Sequence, residues 1–543
     1  MNLVSCSGWT LADRECTQRV AGCTSVSKES PKSFQRNDSR ELVVYPKFEA
    51  EMARRKTTQP RCFGIAEQLT CGRRLVTIVE EETSVLAISG SNAMLKNATN
   101  RRSFLRSAGA TAATFTILKA GSARTYAANE TLNIASIGAG GQAASDIQAV
   151  ASQNIVALCD VDHDRAAGMF DKFPKAKQFK DYRVMLQEMN SEIDAVIVGT
   201  PDHHHFHASM AAIRHGKHVY CEKPLTHSVW EARELTLAAR KAGVATQMGN
   251  QAQANEQTRI VQEYVMDNAI GQIREAHIWT DRPSRGLFDE YWPQGVSRPT
   301  DAPVIPDTLA WDLWLGPAPQ RPYHSAYLPV KWRGWWDFGT GALGDIACHY
   351  FDPIFRALKL GAPTSVEASS TRVNTETYPV GSMITFNFPA RDNMAPVKLV
   401  WYDGGLRPPR PTAIKAGDEM GTNGLLLIGD DEAVLMSDWN TWRMYPEDSA
   451  QQYGSPPIKL LRSAGHHQEW IDACKGGAAA GSNFEWSGPM TETILLGNVA
   501  LRSQLREDLT RTKLEWNHAK LTFTNHDAAN QFLRREYRKG WEV

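Results

Sequence analysis

A strand, a glycine-rich turn and a helix follow one another directly from residue 131, and this succession constrains the fold more than any other feature. Residues 131–137 have the character of a buried strand and lead into Gly138-Ala-Gly140-Gly141-Gln-Ala143 and then a helical stretch. In this G-x-G-x-x-A pattern the first glycine permits the tight turn and the second lets the backbone approach a pyrophosphate. The small residue Ala143 lets helix and strand pack, and the helix N-terminus faces the phosphate charge. The segment predicts a dinucleotide-binding domain.

An acidic residue after the second predicted strand favours one form of the cofactor. Residues 154–158 are typical of a strand, and Asp160 follows about 20 residues after the first glycine, the spacing of the ribose-binding acid in such domains. A carboxylate there binds both ribose hydroxyls of NAD and repels the extra phosphate of NADP. We therefore expect NAD, with NADP less favoured. The structural alternative for Asp160 is a helix cap or turn residue.

Strands and helices continue to alternate along the first half of the chain. Further strands are predicted at 193–199, 218–220 and 244–248, with helices between them. This rhythm is typical of a parallel, doubly wound sheet, whose ligands bind at the carboxyl ends of the strands. Four residues of interest would lie at that edge: Gly138, Asp160, Thr200 and Lys223.

Two short motifs at that edge carry a family resemblance. Thr200-Pro201 and His205 form T-P-x-x-x-H after one strand, and Glu222-Lys223-Pro224 forms E-K-P after the next. With the glycine turn, these motifs resemble the glucose–fructose oxidoreductase, inositol dehydrogenase and rhizopine-catabolism (Gfo/Idh/MocA) family, from about residue 131 to the C-terminus. The resemblance implies an NAD-dependent dehydrogenase in which Lys223 lies beside the nicotinamide and the substrate hydroxyl. The implied cofactor-binding residues are Gly138, Gly140, Gly141, Ala143, Asp160, Thr200, Pro201, His205, Glu222 and Lys223.

The pattern changes in the second half of the chain. Several predicted strands follow one another without intervening helices, among them 364–373, 382–387 and 397–402. Such a run indicates a largely antiparallel sheet. We therefore predict an N-terminal Rossmann domain over 131–252 and a C-terminal α+β domain with a large, mostly antiparallel sheet over 253–543. In the family that this chain resembles, the sheet often carries the oligomer contact, so a homo-oligomer is expected.

An aspartate and a histidine four residues apart complete the predicted catalytic set. Asp345 and His349 would share one face of a helix. The segment resembles the family's G-x-x-x-D-x-x-x-H-x-x-D sequence, whose Asp and His join the E-K-P lysine. Spacing alone equally suits a structural Asp–His pair on a helix surface. With the E-K-P motif present, we predict Lys223, Asp345 and His349 as catalytic residues.

These residues suggest alcohol oxidation. His349 would act as general base, because its unperturbed pKa lies nearest neutrality, while Lys223 stabilises the developing negative charge. Asp345 would orient the imidazole or the lysine. Lys223 could instead be the base if burial lowers its pKa, and the sequence does not separate the two schemes.

The expected substrate is a small carbohydrate or polyol. Arg333, Trp335, Trp336 and Asp337 combine flat rings that stack on sugars with groups that bind hydroxyls, although buried core is the alternative for each tryptophan. The 60 Lys and Arg residues balance 60 Asp and Glu, without the basic excess of a nucleic-acid binder. No apolar run is long enough to predict a membrane span.

Two other functions are alternatives to the dehydrogenase, and a metal site is a third possibility that the histidines suggest. Some relatives use bound NAD to oxidise a sugar transiently and so cleave a glycoside without net cofactor turnover, and others are non-catalytic NAD-responsive or sugar-sensing proteins. A metal site at His203-His204-His205 is not expected, because three consecutive histidines cannot easily point at one ion, and no C-x-x-C pair is present.

The front of the chain does not resemble the rest. Residues 1–93 show no sustained period, and we expect them to be an unstructured or over-extended start, with translation beginning at Met94. Residues 94–128 contain a charged start with Arg101-Arg102, a weakly apolar middle and a small-residue exit at Ala127 and Ala128. This pattern resembles a twin-arginine export signal, so an exported, periplasmic or extracytoplasmic protein is expected.

Overall fold

The computed structural model describes residues 130–543 apart from 285–288, 439–440 and 510. The predictions for residues 1–93 and 94–128 therefore lie outside the described residues. The helices are α1 (Gln142–Ala149), α2 (His163–Lys172), α3 (Tyr182–Glu188), α4 (Asp202–Arg214), α5 (Val229–Ala242), α6 (Glu256–Met266), α7 (Trp311–Leu315), α8 (Gly341–Ala357), α9 (Glu447–Tyr453), α10 (His466–Cys474) and α11 (Phe484–Ser503). The strands are β1 (Asn133–Ile137), β2 (Asn154–Cys159), β3 (Lys177–Phe179), β4 (Ala195–Val198), β5 (His218–Glu222), β6 (Thr246–Gly249), β7 (Glu275–Trp279), β8 (Ser365–Ser370), β9 (Ser382–Phe388), β10 (Val397–Tyr402), β11 (Gly424–Ile428), β12 (Val434–Ser437), β13 (Trp442–Tyr445), β14 (Leu514–Asn517) and β15 (Thr522–Phe523).

The first sheet has six parallel strands in the order β3-β2-β1-β4-β5-β6. Its strands are near-continuous apolar runs such as Ala195–Val198, all buried, because helices cover both faces of a parallel sheet. The strand order reverses between β1 and β4, so the chain segments that follow these two strands run in opposite directions. Such sheets bind their ligands at this point. The predicted doubly wound Rossmann fold is confirmed.

The second sheet has nine strands in the order β13-β12-β11-β7-β10-β9-β8-β14-β15. The β7–β10 pair is parallel and the other neighbours are antiparallel, so the predicted mostly antiparallel sheet is also confirmed. In β9 the buried residues Ile384, Phe386 and Phe388 alternate with more exposed ones, as expected when one face covers a core.

Helix α8 packs in the core against helices α6 and α11, and α11 also contacts β8 and β9 of this sheet. Phe351 of α8 packs edge-on against Phe386 of β9, with ring centroids 5.6 Å apart, and both side chains are fully buried. Burying a side chain of this size contributes about 2 kcal/mol, so the apolar face of α8 is firmly anchored. The helix thereby holds Asp345 and His349 in fixed positions.

The C-terminal segment, from Arg535 to Trp541, packs on α4 and α5 of the Rossmann domain. Arg535 donates a hydrogen bond to Glu231 at 2.8 Å, and the Tyr537 hydroxyl donates one to the same oxygen at 2.9 Å. His207 of α4 contacts the carbonyl oxygen of Trp541 through its Nε2 at 2.9 Å. The last residues of the chain are therefore part of the packing around the first domain. Within the described residues, no helix is long and apolar enough to span a membrane.

Candidate functional site

The glycine turn has the geometry that its sequence predicts. Gly138 has a φ of +90°, and a Cβ there would come within 2.8 Å of the Gly199 carbonyl oxygen, so only glycine fits. Ala143 is fully buried and packs against Gly199 at the end of β4, which brings helix and strand together. Gly141 lies at the N-cap of α1, where unpaired backbone N–H groups of the first turn are available to a phosphate.

Asp160 lies at the carboxyl end of β2, beside this turn. Its two carboxylate oxygens accept hydrogen bonds from the backbone N–H groups of Ala139 at 2.8 Å and Asp162 at 2.9 Å. These bonds aim the carboxylate at the turn and leave a lone pair on each oxygen for ribose hydroxyls. Burial raises the pKa of Asp160 above its ordinary value. The residue therefore fits the ribose-binding position.

Thr200 and His205 lie at the end of β4 and on the first turns of α4. The Thr200 hydroxyl oxygen is buried and has no hydrogen-bond partner among the described residues, which fits a role toward a bound cofactor. The His205 ring joins two loops, with Nε2 2.8 Å from the Thr200 carbonyl oxygen and Nδ1 2.7 Å from the Pro224 carbonyl oxygen. The ring therefore connects the turn at Thr200 to the turn that carries Lys223. Pro201 is the N-cap residue of α4.

His205 is a buried cation. Both of its ring nitrogens face carbonyl oxygens, which only accept hydrogen bonds, so both nitrogens must be protonated. Burial opposes this charge, but Cys221 and Asp202 outweigh burial and raise the pKa of His205 to about 10. Asp202 is itself buried and accepts a hydrogen bond from the Thr340 hydroxyl at 2.6 Å. Asp202 and Thr340 belong to the site and were not predicted from the sequence, because each looks like an ordinary helix-start residue.

Lys223, Asp345 and Arg333 form the centre of the site. The Lys223 ammonium donates hydrogen bonds to Asp345 Oδ1 at 2.6 Å and to the Asp345 carbonyl oxygen at 2.9 Å. Arg333 Nε donates to the same Oδ1 at 2.8 Å. Burial alone would raise the pKa of Asp345, but the two cations outweigh it and hold that pKa well below its ordinary range. The pKa of Lys223 is raised in turn, because the attraction of Asp345 exceeds the cost of burial.

His349 lies on the same face of α8 as Asp345, as the four-residue spacing predicts. Burial and the nearby Lys223 ammonium lower the pKa of His349 to about 3. The imidazole is therefore neutral at neutral pH and retains a lone pair that can accept a proton or a hydrogen bond. The site thus combines a fixed cationic donor, Lys223, with a neutral acceptor.

An amide at the end of β6 also reaches this centre. The Asn250 Nδ2 donates to the Cys348 carbonyl oxygen at 3.3 Å, while its Oδ1 is buried without a hydrogen-bond partner among the described residues. Asn250 was not predicted, because an asparagine after a strand is typical of an ordinary turn.

The tryptophans proposed to stack on substrate lie in the core. Trp335 and Trp336 are 1% and 3% exposed, and their indole N–H groups donate to backbone oxygens of Ala326 and Asn374. Asp337 pairs with Arg321. Arg333 is 18% exposed along its side chain, and its guanidinium lies 4.3 Å from the ring of the partly exposed Trp332. Of the predicted substrate-binding segment, Arg333 is the part that the structure brings to Asp345 and Lys223.

A small recess, open to solvent, adjoins His349. Polar groups, one indole and apolar side chains line it: Ala252, Asn255, Gln257, Thr258, Pro353, Leu425, Ser437 and Trp442. The polar groups and the indole come from the start of α6 and from the second sheet, so they all belong to the C-terminal domain. Hydroxyl and amide groups beside an aromatic ring suit a polyhydroxylated ligand.

The consecutive histidines of α4 contact the backbone. His203 and His204 each place Nε2 2.9 Å from the Trp314 carbonyl oxygen. Across the residues that the structure describes, no group of three or more His, Cys, Asp or Glu side chains is arranged to hold a metal ion.

Two family models match this chain, one in the Rossmann domain and one in the part that follows it. Residues 132–250 match the oxidoreductase family's NAD-binding Rossmann fold, and residues 288–392 match the C-terminal alpha/beta domain of the same family. These two segments of the chain are therefore similar to the two domains of the Gfo/Idh/MocA oxidoreductase family, the first of which binds NAD.

Curated relatives share part of the chain. The 1,5-anhydro-D-fructose reductase of Ensifer adhaerens is 27% identical over 30% of this chain and 37% of its own length. The D-glucoside 3-dehydrogenase of Escherichia coli K12 is 31% identical over 26% of this chain and 41% of its own length. The chain thus matches about two fifths of the length of these relatives. Among solved structures, the WlbA dehydrogenase of Bordetella pertussis, in complex with NADH and UDP-GlcNAcA, aligns with 72% of this chain and 99% of its own, at 15% identity and a TM-score of 0.48.

Proposed function

We propose that this protein is an NAD-dependent oxidoreductase that transfers a hydride between the nicotinamide and a hydroxyl or ketone carbon of a sugar or polyol. The observation that carries the proposal is the convergence of Lys223 and Arg333 on one oxygen of Asp345, beside His349 and at the ligand-binding edge of the Rossmann sheet. A buried donor, a neutral acceptor and an NAD-binding domain are the parts that alcohol oxidation requires.

The residues present fit the cofactor. The Gly138 turn leaves no room for a Cβ, Asp160 presents a carboxylate where the ribose would bind, and the Thr200 hydroxyl is buried without a partner among the described residues. The carboxylate of Asp160 favours NAD over NADP, because a second phosphate would be repelled. NAD, when bound, supplies the acceptor for the hydride.

In the oxidation direction, His349 accepts the proton of the substrate hydroxyl, since its imidazole is neutral across the physiological range. Lys223 donates a hydrogen bond to the substrate oxygen, because two of its three N–H groups are occupied by Asp345 and the third remains. Asp345 keeps Lys223 protonated and fixed in position. The hydroxyl loses its proton to His349 and its carbon loses the hydride, so a ketone is formed; reduction follows the same path backwards.

The sugar or polyol class is supported by the lining of the site and by the names of the relatives. The recess beside His349 carries amide and hydroxyl groups with one indole, and the Arg333 guanidinium, hydrogen-bonded to Asp345, lies over the ring of Trp332. Curated relatives are named for an anhydrofructose, levoglucosan, a D-glucoside and inositol, all of them polyhydroxylated rings.

The test uses the purified chain with NAD and a panel of sugars, polyols and aryl glycosides, following NADH absorbance and glycoside release together. We expect stoichiometric NADH with at least one polyol or sugar, lost in Lys223→Ala and retained in Lys359→Ala, which removes an exposed lysine of the second domain. Glycoside release without net NADH, abolished by Lys223→Ala, would contradict the proposal and favour a redox-assisted glycosidase.

We also propose that residues 94–128 direct export. The support is the order of a charged start with Arg101-Arg102, an apolar middle and the alanines at 127 and 128. Fused to a reporter, this segment should deliver it outside the cytoplasm, and the paired changes Arg101→Lys and Arg102→Lys should retain it inside. Equal export of both fusions would contradict a twin-arginine route.

A further inference from the structure

Two buried carboxyl groups lie beside the catalytic lysine and take no part in the proposed reaction. Asp146 is on α1, directly behind the glycine turn, and Glu222 is the last residue of β5, next to Lys223. Their side chains interact directly, and the two residues are 0% and 5% exposed. They connect the segment that faces the cofactor phosphates to the segment that carries the catalytic lysine.

The groups that bind these carboxyls are uncharged. Gln142 Nε2 donates to Asp146 Oδ1 at 3.2 Å, and Gln251 Nε2 donates to Glu222 Oε1 at 2.7 Å. The Lys223 backbone N–H donates to Glu222 Oε2 at 3.2 Å. The other oxygen, Asp146 Oδ2, is buried and accepts no hydrogen bond from the described residues. Two ionised carboxylates in this environment would repel each other without a counter-charge.

The titratable neighbours do not supply that counter-charge. His467 of α10 reaches Asp146 Oδ1 at 3.1 Å, but burial lowers its pKa, so it is neutral at neutral pH. Burial raises the pKa of Tyr220 far above its ordinary value, so its hydroxyl keeps its proton. The Lys223 ammonium is directed to Asp345, and although it lowers the pKa of Glu222, burial and Asp146 raise that pKa by more.

The pair therefore holds a proton at neutral pH. Burial raises the pKa of Glu222 to about 8, with the nearby Asp146 adding to the effect. Burial likewise raises the pKa of Asp146 to about 7. A protonated carboxyl facing an ionised one shares its proton in a hydrogen bond, the arrangement that two adjacent buried acids adopt.

The two redox forms of the cofactor differ in charge at the nicotinamide, the end that the proposed function places beside Lys223, the neighbour of Glu222. The oxidised nicotinamide ring is a cation and the reduced ring is neutral, whereas the ribose and phosphates are the same in both. A positive charge placed near a protonated acid pair favours loss of the proton to solvent. A neutral ring does not.

We propose that the Asp146–Glu222 pair discriminates between the oxidised and reduced cofactor by releasing its shared proton to solvent when NAD⁺ binds and keeping it when NADH binds. The release is an acid ionisation with no electron transfer: a carboxyl O–H bond breaks, and the resulting carboxylate balances the cationic ring. The inference rests on the proposed NAD-dependent function. Because proton loss is coupled to NAD⁺ binding, NAD⁺ affinity rises with pH, and the site favours NADH on the acid side.

The experiment is calorimetric titration of the full chain with NAD⁺ and, separately, with NADH, in two buffers of different ionisation enthalpy. We expect proton release with NAD⁺ near pH 7 and none with NADH. Between pH 6 and 8 the Kd of NAD⁺ should fall by up to about tenfold per pH unit, while that of NADH stays level. Asp160 also titrates beside the cofactor, but it faces the ribose and affects both forms equally.

Two variants test the assignment to this pair. Glu222→Gln and, independently, Asp146→Asn replace a carboxyl by a neutral amide of the same shape, and each should abolish the difference in proton release between NAD⁺ and NADH. The matched control is Asp403→Asn, a buried acid of the second sheet whose pKa burial raises to about 6, which should leave that difference unchanged. Thermal unfolding of each variant checks that it is folded.

The outcomes separate the two proposals. If both forms bind with the same proton release, or if both variants keep the NAD⁺-specific release, the discrimination by this pair is wrong and the dehydrogenase proposal stands. If neither NAD⁺ nor NADH binds to the wild-type chain, the proposed function is wrong and the discrimination by this pair is wrong with it.

Discussion

The Lys223 ammonium donates to both the side-chain Oδ1 and the main-chain carbonyl oxygen of Asp345, at 2.6 and 2.9 Å. The two bonds fix the position of the nitrogen relative to helix α8, and so relative to His349. Because Asp345 also accepts from Arg333, one carboxylate bonds two cations, and the buried Asp202 also attracts both of them. A lysine ammonium fixed in this way suits a site that must stabilise negative charge on a substrate oxygen.

Removing the charge of Asp345 should damage both activity and stability. In Asp345→Asn, Lys223 and Arg333 lose the carboxylate to which both donate hydrogen bonds, and the loss of a buried partner costs roughly 3 kcal/mol of unfolding free energy. We expect kcat to fall by about 10²–10³-fold, as when one oriented electrostatic group is lost. Burial and Arg333 then lower the pKa of Lys223, so the basic limb of the kcat–pH profile moves to lower pH. Asp392→Asn, which removes an exposed acid, is the control and should change neither quantity.

The pH profile should identify the base. At saturating NAD, kcat/KM for the sugar should show no loss of activity near pH 6.5, because the pKa of His349 is lowered to about 3 and the imidazole stays neutral. His349→Asn should reduce kcat by about 10²-fold, the usual contribution of a positioned base. An acid limb with a midpoint near 6.5 that vanishes in His349→Asn would mean that the imidazole titrates as an exposed histidine does, contrary to its burial.

Cofactor choice should depend on Asp160 and its neighbour Arg165. The Arg165 side chain lies against the glycine turn, where a Cβ on Gly140 would come within 2.6 Å of its Cγ. In Asp160→Ala the Kd of NAD should rise by about tenfold, equal to about 1.4 kcal/mol, through loss of the ribose hydrogen bonds. NADP should then bind measurably, because repulsion is removed and Arg165 can pair with the 2′-phosphate. Fluorescence titration with both reduced cofactors measures this, and Asp160→Ala with Arg165→Ala should lose the gain for NADP.

The first domain could be predicted from the sequence because local patterns determine it. Its strands are apolar runs bounded by glycines and polar residues, and the motif residues follow the strand ends, so a parallel sheet brings Lys223 and Thr200 to one edge. The spacing of Asp345 and His349 likewise predicted their shared helical face.

Features that depend on three-dimensional packing were missed. Helix α11 (Phe484–Ser503) is buried on nearly all sides, so it lacks a polar face that would give it a period, and Pro489 lies within it. Arg333 was predicted to bind substrate, but its bond to Asp345 depends on two segments meeting in space. Asp146 looks like an ordinary residue on a helix, and its proximity to Glu222 follows from sheet packing that no local pattern encodes.

The C-terminal segment should make stability sensitive to acid through His207. Burial lowers the pKa of His207 to about 2, and its Nε2 contacts the Trp541 carbonyl oxygen. Below the ordinary histidine pKa of 6.5, the unfolded chain binds a proton here that the folded chain excludes, so this residue's contribution to stability falls as pH falls from 6.5 toward 2. Between pH 7 and 5 the loss amounts to about 2 kcal/mol.

The variant His207→Asn tests this contribution, because it keeps a polar side chain at the position but cannot titrate. When the pH is lowered from 7 to 5, the wild type should lose about 2 kcal/mol more unfolding free energy than the variant. Denaturant unfolding of the wild type and the variant at the two pH values measures this difference. A difference that stays constant with pH would mean that His207 takes up a proton as readily in the folded protein as in the unfolded chain.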